Sequence, residues 1–190
     1  MSRGSERVRK RKRRAFKMDL LVVSDTHGKY NKISEVIELQ TAIPKKDRST
    51  YLLHLGDGVS DLDRAKIPED MCVFSVRGNC DVFYAEGIPN ERVFTLFGKK
   101  IVALHGHGLS VKQGDVLAIE YAIKNEADIL LYGHTHKRTE YVVRSGESVG
   151  RELVKKDLLV FNPGSLGYDN SFGIITINEN GILASHGTIK

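Results

Sequence analysis

The sequence contains no tryptophan, only two cysteines and only four prolines among its 190 residues. Two cysteines are too few for a disulfide-rich scaffold. Without a secretory signal, Cys72 and Cys80 are expected to be reduced thiols, as in the cytoplasm. No apolar run approaches the roughly 18 residues that a membrane-spanning helix needs. With 41% hydrophobic and 28% charged residues, the composition is that of a globular protein and excludes a disordered or collagen-like chain.

Positive charge is concentrated at the start of the chain. The first 18 residues hold nine basic residues and one acidic residue, whereas the remainder holds 20 basic and 23 acidic residues. The net charge of +5 therefore comes from the beginning of the chain. We predict a disordered basic leader over residues 1–17 and a single, mildly acidic domain over residues 18–190. The leader is either an arm for nucleic acid or an anionic surface, or a stretch that precedes a true start at Met18.

From Asp19 onward, short apolar runs alternate with segments of helical spacing, which is typical of an α/β domain. Helices are predicted over residues 32–40 and 116–124. Strands are predicted over residues 20–23, 51–55, 72–76, 93–96, 100–104, 129–131, 158–161, 173–177 and 182–187. The charged segment 140–157 is predicted to form a hairpin.

Five of the predicted strands end in glycine-containing loops with side chains that can bind metal. These loops carry Asp25 and His27, Asp57, Asn79, His105 with His107, and His134 with His136. Because ligands of open α/β sheets bind beyond the carboxyl ends of the strands, we expect the five loops to meet. Carboxylates, imidazoles and an amide suit hard or borderline divalent cations, and they are too many for one ion. Asp57, which lies between two glycines, is the natural bridge of a two-metal site.

In chain order the motifs read D-x-H, G-D, G-N-C-D, H-G-H and G-H-T-H, and this combination resembles the calcineurin-like metallophosphoesterase superfamily. The short chain and the G-N-C-D variant are similar to the YfcE-type phosphodiesterases of bacteria and archaea. The likeness runs from Asp25 to His136, and an N-P-G-S segment extends it to Ser165. It implies a four-layer α-β-β-α sandwich, in which two mixed β-sheets pack face to face with helices outside.

The resemblance also implies a dinuclear metal centre. Its ligands would be Asp25, His27 and His136 for one ion, Asn79, His105 and His134 for the other, and Asp57 between them. Mn²⁺ is the ion that the family implies first, with Ni²⁺, Zn²⁺ or Fe²⁺ as alternatives. A hydroxide that bridges the two ions would attack phosphorus in line with the leaving oxygen, without a protein nucleophile. Asp57, Asn79 and His105 are accordingly the predicted catalytic residues.

The sequence departs from the family's pattern at Cys80. Many relatives have a histidine there, which is the proposed proton donor to the leaving group. A thiol with a pKa of ~8.5 is a poor substitute, and Asp81 would need a raised pKa to donate. We therefore hypothesise that diesters and aryl esters are preferred over alkyl monoesters. Cys80, Asp81 and His107 are assigned to substrate binding or to the support of the metal ligands.

These residues are compatible with three functions. The first is a metal-dependent phosphoesterase, specifically a phosphodiesterase that acts on a small phosphodiester or aryl phosphoester. The second is a non-catalytic scaffold, since the fold includes a eukaryotic retromer subunit with an eroded metal site; seven ligand-capable residues argue against it here. The third is a nuclease, which the basic leader favours and the acidic body disfavours, so nucleic acid is not the favoured partner. A homo-oligomer is compatible with the sequence, which does not require one.

Overall fold

The computed structural model describes residues 17–44, 48–83 and 86–190. Residues 1–16 of the predicted leader lie outside the described residues, whereas Lys17 is the first residue of a strand. The strands are β1 (Lys17–Val23), β2 (Tyr51–His54), β3 (Cys72–Ser75), β4 (Glu91–Leu96), β5 (Lys99–Leu104), β6 (Ile129–Tyr132), β7 (Arg138–Val143), β8 (Ser148–Val149), β9 (Glu152–Leu153), β10 (Leu158–Pro163), β11 (Ser171–Asn178) and β12 (Gly181–Thr188). The α-helices are α1 (Tyr30–Thr41), α2 (Val116–Lys124) and α3 (Leu166–Asp169). In these parts of the chain, no helix has the length and apolar character to cross a membrane.

Two five-stranded mixed sheets form the centre of the molecule. The first has the order β12-β11-β1-β2-β3, with β1, β2 and β3 parallel to one another. The second has the order β4-β5-β6-β10-β7, in which β5, β6 and β10 are parallel and the two edge strands run antiparallel. Parallel neighbours end at the same edge of their sheet. The loops after β1, β2 and β3 are therefore grouped on one sheet, and those after β5, β6 and β10 on the other.

Apart from the edge strand β3, the parallel strands are largely buried on both faces, which explains why they appear in the sequence as continuous apolar runs. In β1, Leu20 and Val22 belong to the apolar cluster between the two sheets. Leu21 and Val23 point the other way and pack with the buried face of α1. Successive side chains of a strand point to opposite faces, so one short apolar run serves two layers of the core.

The second sheet is covered in the same way on its outer face. Val102 and Leu104 of β5 pack with Ala118, Ile119 and Ala122 of α2. The layers thus follow the order α1, first sheet, second sheet, α2, and the predicted α-β-β-α sandwich is confirmed.

The segment predicted as a single hairpin over residues 140–157 has a different construction. β7 begins at Arg138 and pairs antiparallel with β10, while β8 and β9 form a separate two-stranded ribbon between them. At the base of the ribbon, an ion pair of 2.7 Å joins Arg144 Nη1, just after β7, to Asp157 Oδ2, just before β10. Of the residues of β7, Val143 alone is buried. This edge strand therefore lacks the apolar alternation that would have predicted it.

Candidate metal centre

The metal-capable side chains after five strands meet where the carboxyl ends of the two sheets come together. Three groups of three residues have ligand atoms that all lie within 4.8 Å of one another. The first is Asp25 with His27 and His136, the second is Asp57 with His105 and His134, and the third is His27 with Asp57 and Cys80. Since His27 and Asp57 each belong to two groups, the three groups form one continuous cluster.

The first group converges on one oxygen of Asp25. Its Oδ1 is buried and has no hydrogen-bond partner among the described residues. It lies 3.2 Å from His136 Nε2 and 3.9 Å from His27 Nε2, and these two nitrogens are 3.4 Å apart. Burial raises the pKa of the Asp25 carboxyl, because the ionised form is poorly solvated. A buried carboxylate oxygen that faces two imidazole nitrogens fits a divalent cation, which would satisfy all three atoms.

The other oxygen of Asp25 fixes the direction of the carboxylate. Asp25 Oδ2 accepts a hydrogen bond of 2.5 Å from Ser24 Oγ and one of 3.1 Å from the backbone N–H of His134. The second bond also joins the loop after β1 to the loop after β6. Asp25 thus connects the two sheets at the point where the ligand atoms converge.

The second group is organised around His105, which is fully buried. Its Nδ1 lies 2.7 Å from the carbonyl oxygen of Leu55. A carbonyl only accepts, so Nδ1 carries a proton. Burial alone would lower the pKa of His105, but the hydrogen bond to Asp57 and the carboxylates of Asp25 and Asp57 outweigh this and raise the pKa. A divalent cation bound here would displace the proton from Nε2. This Nε2 lies 3.3 Å from Asp57 Oδ2 and 3.1 Å from His134 Nδ1.

Two residues of the second group, His134 and Asp57, have protonation states that suit metal binding. Burial and the neighbouring His105 lower the pKa of His134 to about 4, so its ring is neutral at pH 7. Burial alone would raise the pKa of Asp57. Hydrogen bonds from His105 and from the backbone N–H of Cys80 outweigh this and hold the pKa well below its usual range. Neutral imidazoles and an ionised carboxylate are the forms that coordinate cations.

Asp81 holds the loop that presents Asp57. Its buried carboxylate accepts four backbone N–H groups at 2.8 to 3.0 Å, those of Asp57, Gly58, Val59 and Gly78. The loops after β2 and β3 are thereby clamped together, and Asp81 acts as an acceptor that supports them. Gly78 is required in this contact, since a Cβ there would lie 2.2 Å from Asp57 Oδ1.

The backbone of the cluster is held in an unusual conformation. Nine non-glycine residues in the described ranges have positive φ, and five of them are metal-capable residues with φ between 46° and 66°. These five are Asp25, His27, Asp57, His134 and His136. The left-handed region costs roughly 1–2 kcal/mol per L-residue and persists where surrounding contacts enforce it, as at functional sites.

Of the remaining predicted residues, Cys80 belongs to the cluster, whereas Asn79 and His107 border it. Asn79 is exposed, and its Nδ2 donates to Cys80 Sγ at 3.3 Å. Burial and the nearby Asp57 carboxylate raise the pKa of the Cys80 thiol to about 11, so it is protonated at neutral pH. The ring of His107 lies 5.5 Å from that of His105 and 6.2 Å from that of His134. His107 is therefore adjacent to the second group and outside it.

The N-P-G-S segment supports the cluster from β10. Asn162 Nδ2 donates to the carbonyl of Gly133 at 2.9 Å and lies 3.1 Å from Thr135 Oγ1. Ser165 Oγ donates to the carbonyl of Asp25 at 2.8 Å. The segment thus positions the loops that carry Asp25 and His134.

A buried polar chain that the sequence did not reveal runs beneath the first group. The backbone N–H of Gly56 donates to His54 Nδ1 at 3.1 Å, so the ring proton is on Nε2 and points to Thr26 Oγ1 at 3.1 Å. Thr26 Oγ1 in turn donates to Asp61 Oδ2 at 2.6 Å. The chain requires a neutral His54, and burial lowers its pKa to about 4.

A family model, related sequences and a solved structure all identify the same family. Residues 18–180 match the family model of the calcineurin-like phosphoesterase superfamily domain. The probable metallophosphoesterase YsnB of Bacillus subtilis is 30% identical over 170 residues, which cover 86% of each chain. Phosphodiesterase YfcE of Escherichia coli K12 is 26% identical, and the match covers 88% of this chain and 96% of YfcE. A crystal structure from Streptococcus pneumoniae TIGR4, described as a predicted phosphoesterase, has a TM-score of 0.65 at 26% identity, covering 91% and 90% of the two chains.

Replacing Asp81 by asparagine should weaken both the fold and the centre. The NH₂ of the amide would then face two backbone N–H groups, from which the carboxylate now accepts hydrogen bonds. We expect a loss of about 1–3 kcal/mol in the free energy of unfolding, together with weaker metal binding. Urea unfolding and Mn²⁺ titration would measure the two effects. The matched control is Asp63→Asn, since Asp63 is exposed and should change the stability by less than about 0.5 kcal/mol. Equal stability of the two variants would contradict the supporting role of Asp81.

His54 should make the stability depend on pH. Its pKa falls from the ordinary value of 6.5 to about 4 in the folded protein, so the unfolded chain takes up a proton first as the pH drops. The contribution of neutral His54 is therefore complete above pH 6.5 and decreases toward pH 4, by up to about 3 kcal/mol. Urea unfolding of wild type and His54→Gln across this range should give a stability difference that shrinks as the pH falls. A difference independent of pH would contradict the assignment.

Proposed function

The chain belongs to the calcineurin-like phosphoesterase superfamily and is a metallophosphoesterase, and we propose that it is a phosphodiesterase with a dinuclear metal centre. The observation that carries this proposal is the position of Asp57. Its carboxylate belongs to two of the three metal-capable groups. A carboxylate shared in this way is the bridge that a pair of cations requires.

The proposed ligands follow the two ends of the cluster. One ion is assigned to Asp25, His27 and His136, the other to Asn79, His105 and His134, and Asp57 is assigned to both. The unpartnered Oδ1 of Asp25 and the close approach of His105 Nε2 to Asp57 and His134 support these assignments. The Asn79 assignment requires its amide to turn away from Cys80.

When bound, two divalent cations would supply positive charge for the transition state and lower the pKa of water, which makes a nucleophile available near neutral pH. The residues of the chain orient the groups that take part. Asp81 fixes Asp57, and Asn162 and Ser165 fix the loops that carry the histidines and Asp25. We propose attack of hydroxide on phosphorus in line with the leaving oxygen, with inversion and without a covalent enzyme intermediate. The Cys80 thiol, with a pKa of about 11, is a weak nucleophile at neutral pH.

The Cys80 thiol also affects which phosphoesters are preferred as substrates. A group with a pKa of about 11 is a weak acid and gives little help to a departing alkoxide. We therefore propose that diesters and aryl esters with stable leaving groups are hydrolysed in preference to alkyl monoesters. Mn²⁺ is the proposed ion, because mixed carboxylate and imidazole ligands suit it, although Ni²⁺, Zn²⁺ and Fe²⁺ accept similar ligands. Cys72 and Cys80 are free thiols, which favours a reducing compartment such as the cytoplasm.

The activity can be tested with bis-p-nitrophenyl phosphate. Metal-stripped protein should be inactive and should regain hydrolysis when Mn²⁺ is added. Asp57→Asn should lower the rate at a fixed Mn²⁺ concentration by about 100-fold or more, since even residues that merely orient metal ligands are worth 10–100-fold in affinity. Asp63→Asn is the control and should behave as wild type.

Three outcomes would overturn different parts of the proposal. A protein that binds Mn²⁺ but hydrolyses neither this diester nor a glycerol monoester would favour a scaffold. A protein that binds no divalent metal would refute the ligand assignment itself. Efficient hydrolysis of glycerol phosphate in preference to the aryl diester would refute the substrate preference while leaving the metal centre intact.

A further inference from the structure

Tyr168 is an aromatic residue beside the first group of metal-capable residues, and the sequence motifs gave no reason to single it out. On the basis of the function proposed above, we propose that its ring is the surface that binds an aromatic group attached to the substrate's phosphorus. The preferred substrates are then phosphodiesters that carry an aryl or nucleoside group, and Tyr168 is a specificity-determining residue of the enzyme.

The ring of Tyr168 forms a compact cluster with two imidazoles. Its centroid lies 5.3 Å from that of His136, nearly parallel at 27°, and 5.1 Å from that of His27. The two imidazoles are themselves 5.4 Å apart. These are the separations at which aromatic rings contact one another. Tyr168 is thus one ring away from the nitrogens that face Asp25.

The position of Tyr168 is fixed by the backbone of α3. Ser165 Oγ accepts the N–H of Tyr168 at 3.1 Å, and the N–H of Gly167 donates to the carbonyl of Asp25 at 3.0 Å. Lys32 Nζ donates to the carbonyl of Gly167 at 2.7 Å. A Cβ on Gly167 would lie 2.6 Å from the carbonyl oxygen of Thr26, so the close approach depends on glycine. The short helix therefore presents the ring in a set place.

The ring nevertheless remains open to solvent. Tyr168 is 65% exposed, although large aromatic side chains usually bury their surface. A phosphoryl group bound at the site of Asp25, His27 and His136 would carry its organic substituent either directly on phosphorus or through one ester oxygen. An aryl ring in that position is expected to contact the exposed part of Tyr168, whereas a nucleobase would approach the ring through its ribose. Stacking of this kind tolerates many aromatic groups, since each has a π face.

The alternative role of Tyr168 is to pack against the imidazoles and orient them. That role would affect every ligand of the centre equally, because it acts through the metal. A contact with the substrate affects only those ligands that carry an aromatic group. The ratio of two affinities therefore separates the two roles.

The experiment uses phenylphosphonate and methylphosphonate, whose carbon–phosphorus bonds are not hydrolysed. Calorimetric titration of the Mn²⁺-loaded full chain gives both dissociation constants, and metal analysis gives the Mn²⁺ content. Wild type should bind phenylphosphonate more tightly than methylphosphonate. Tyr168→Leu should reduce that preference by roughly 5- to 10-fold with unchanged Mn²⁺ content, and Tyr168→Phe, which keeps the ring, should retain it.

The matched control is Phe83→Leu, which removes a 97% exposed ring from the loop after β3. It should keep the preference for phenylphosphonate. The inference is overturned if Tyr168→Leu retains the wild-type ratio, if Phe83→Leu loses it instead, or if wild type binds the two phosphonates equally. Hydrolysis of bis-p-nitrophenyl phosphate by the same wild-type preparation distinguishes failure of the Tyr168 inference from failure of the proposed function. Hydrolysis with equal phosphonate affinities refutes the role of Tyr168 alone, whereas no hydrolysis and no phosphonate binding refute the proposed function as well.

Discussion

The carboxylate of Asp81 accepts four backbone N–H groups from the loops after β2 and β3, and the candidate centre depends on this interaction. It fixes Asp57, whose own carboxylate lies in two metal-capable groups. Asp57 itself has a left-handed backbone, which costs free energy for a residue with a side chain. Four hydrogen bonds to a charged acceptor offset that cost. The protein thus places one carboxylate accurately by dedicating another to the backbone around it.

The centre also depends on the packing of the two sheets. Asp25, His27 and Asp57 follow strands of the first sheet, whereas His105, His134 and His136 follow strands of the second. Of the three groups that the described residues form, two combine residues from both sheets. The third, His27 with Asp57 and Cys80, follows strands of the first sheet alone. The apolar cluster between the sheets therefore sets the distance between the two halves of the site. The hydrogen bond from the His134 N–H to Asp25 Oδ2 joins those halves directly.

Much of this arrangement could be predicted from the sequence, because its causes are local. Continuous apolar runs such as that of β1 indicate strands buried on both faces, and the metal-capable residues that follow them had to meet at one edge. The contacts that support the ligands could not be predicted from the sequence, since they join residues far apart in the chain. The four acceptor bonds of Asp81 and the ring cluster of Tyr168 arise only from the packing of separate loops. The start of the edge strand β7 and its pairing with β10 could not be predicted for another reason, since its mostly exposed side chains carry no periodic signal.

The central claim is that this cluster holds two cations with Asp57 between them. Anomalous diffraction from crystals grown with Mn²⁺ tests it most directly, since it locates each ion. The account predicts two peaks about 3.5–4 Å apart. One should lie among Asp25, His27 and His136, and the other beside His105 and His134, with Asp57 contacting both. A single peak, or peaks away from Asp57, would contradict the account.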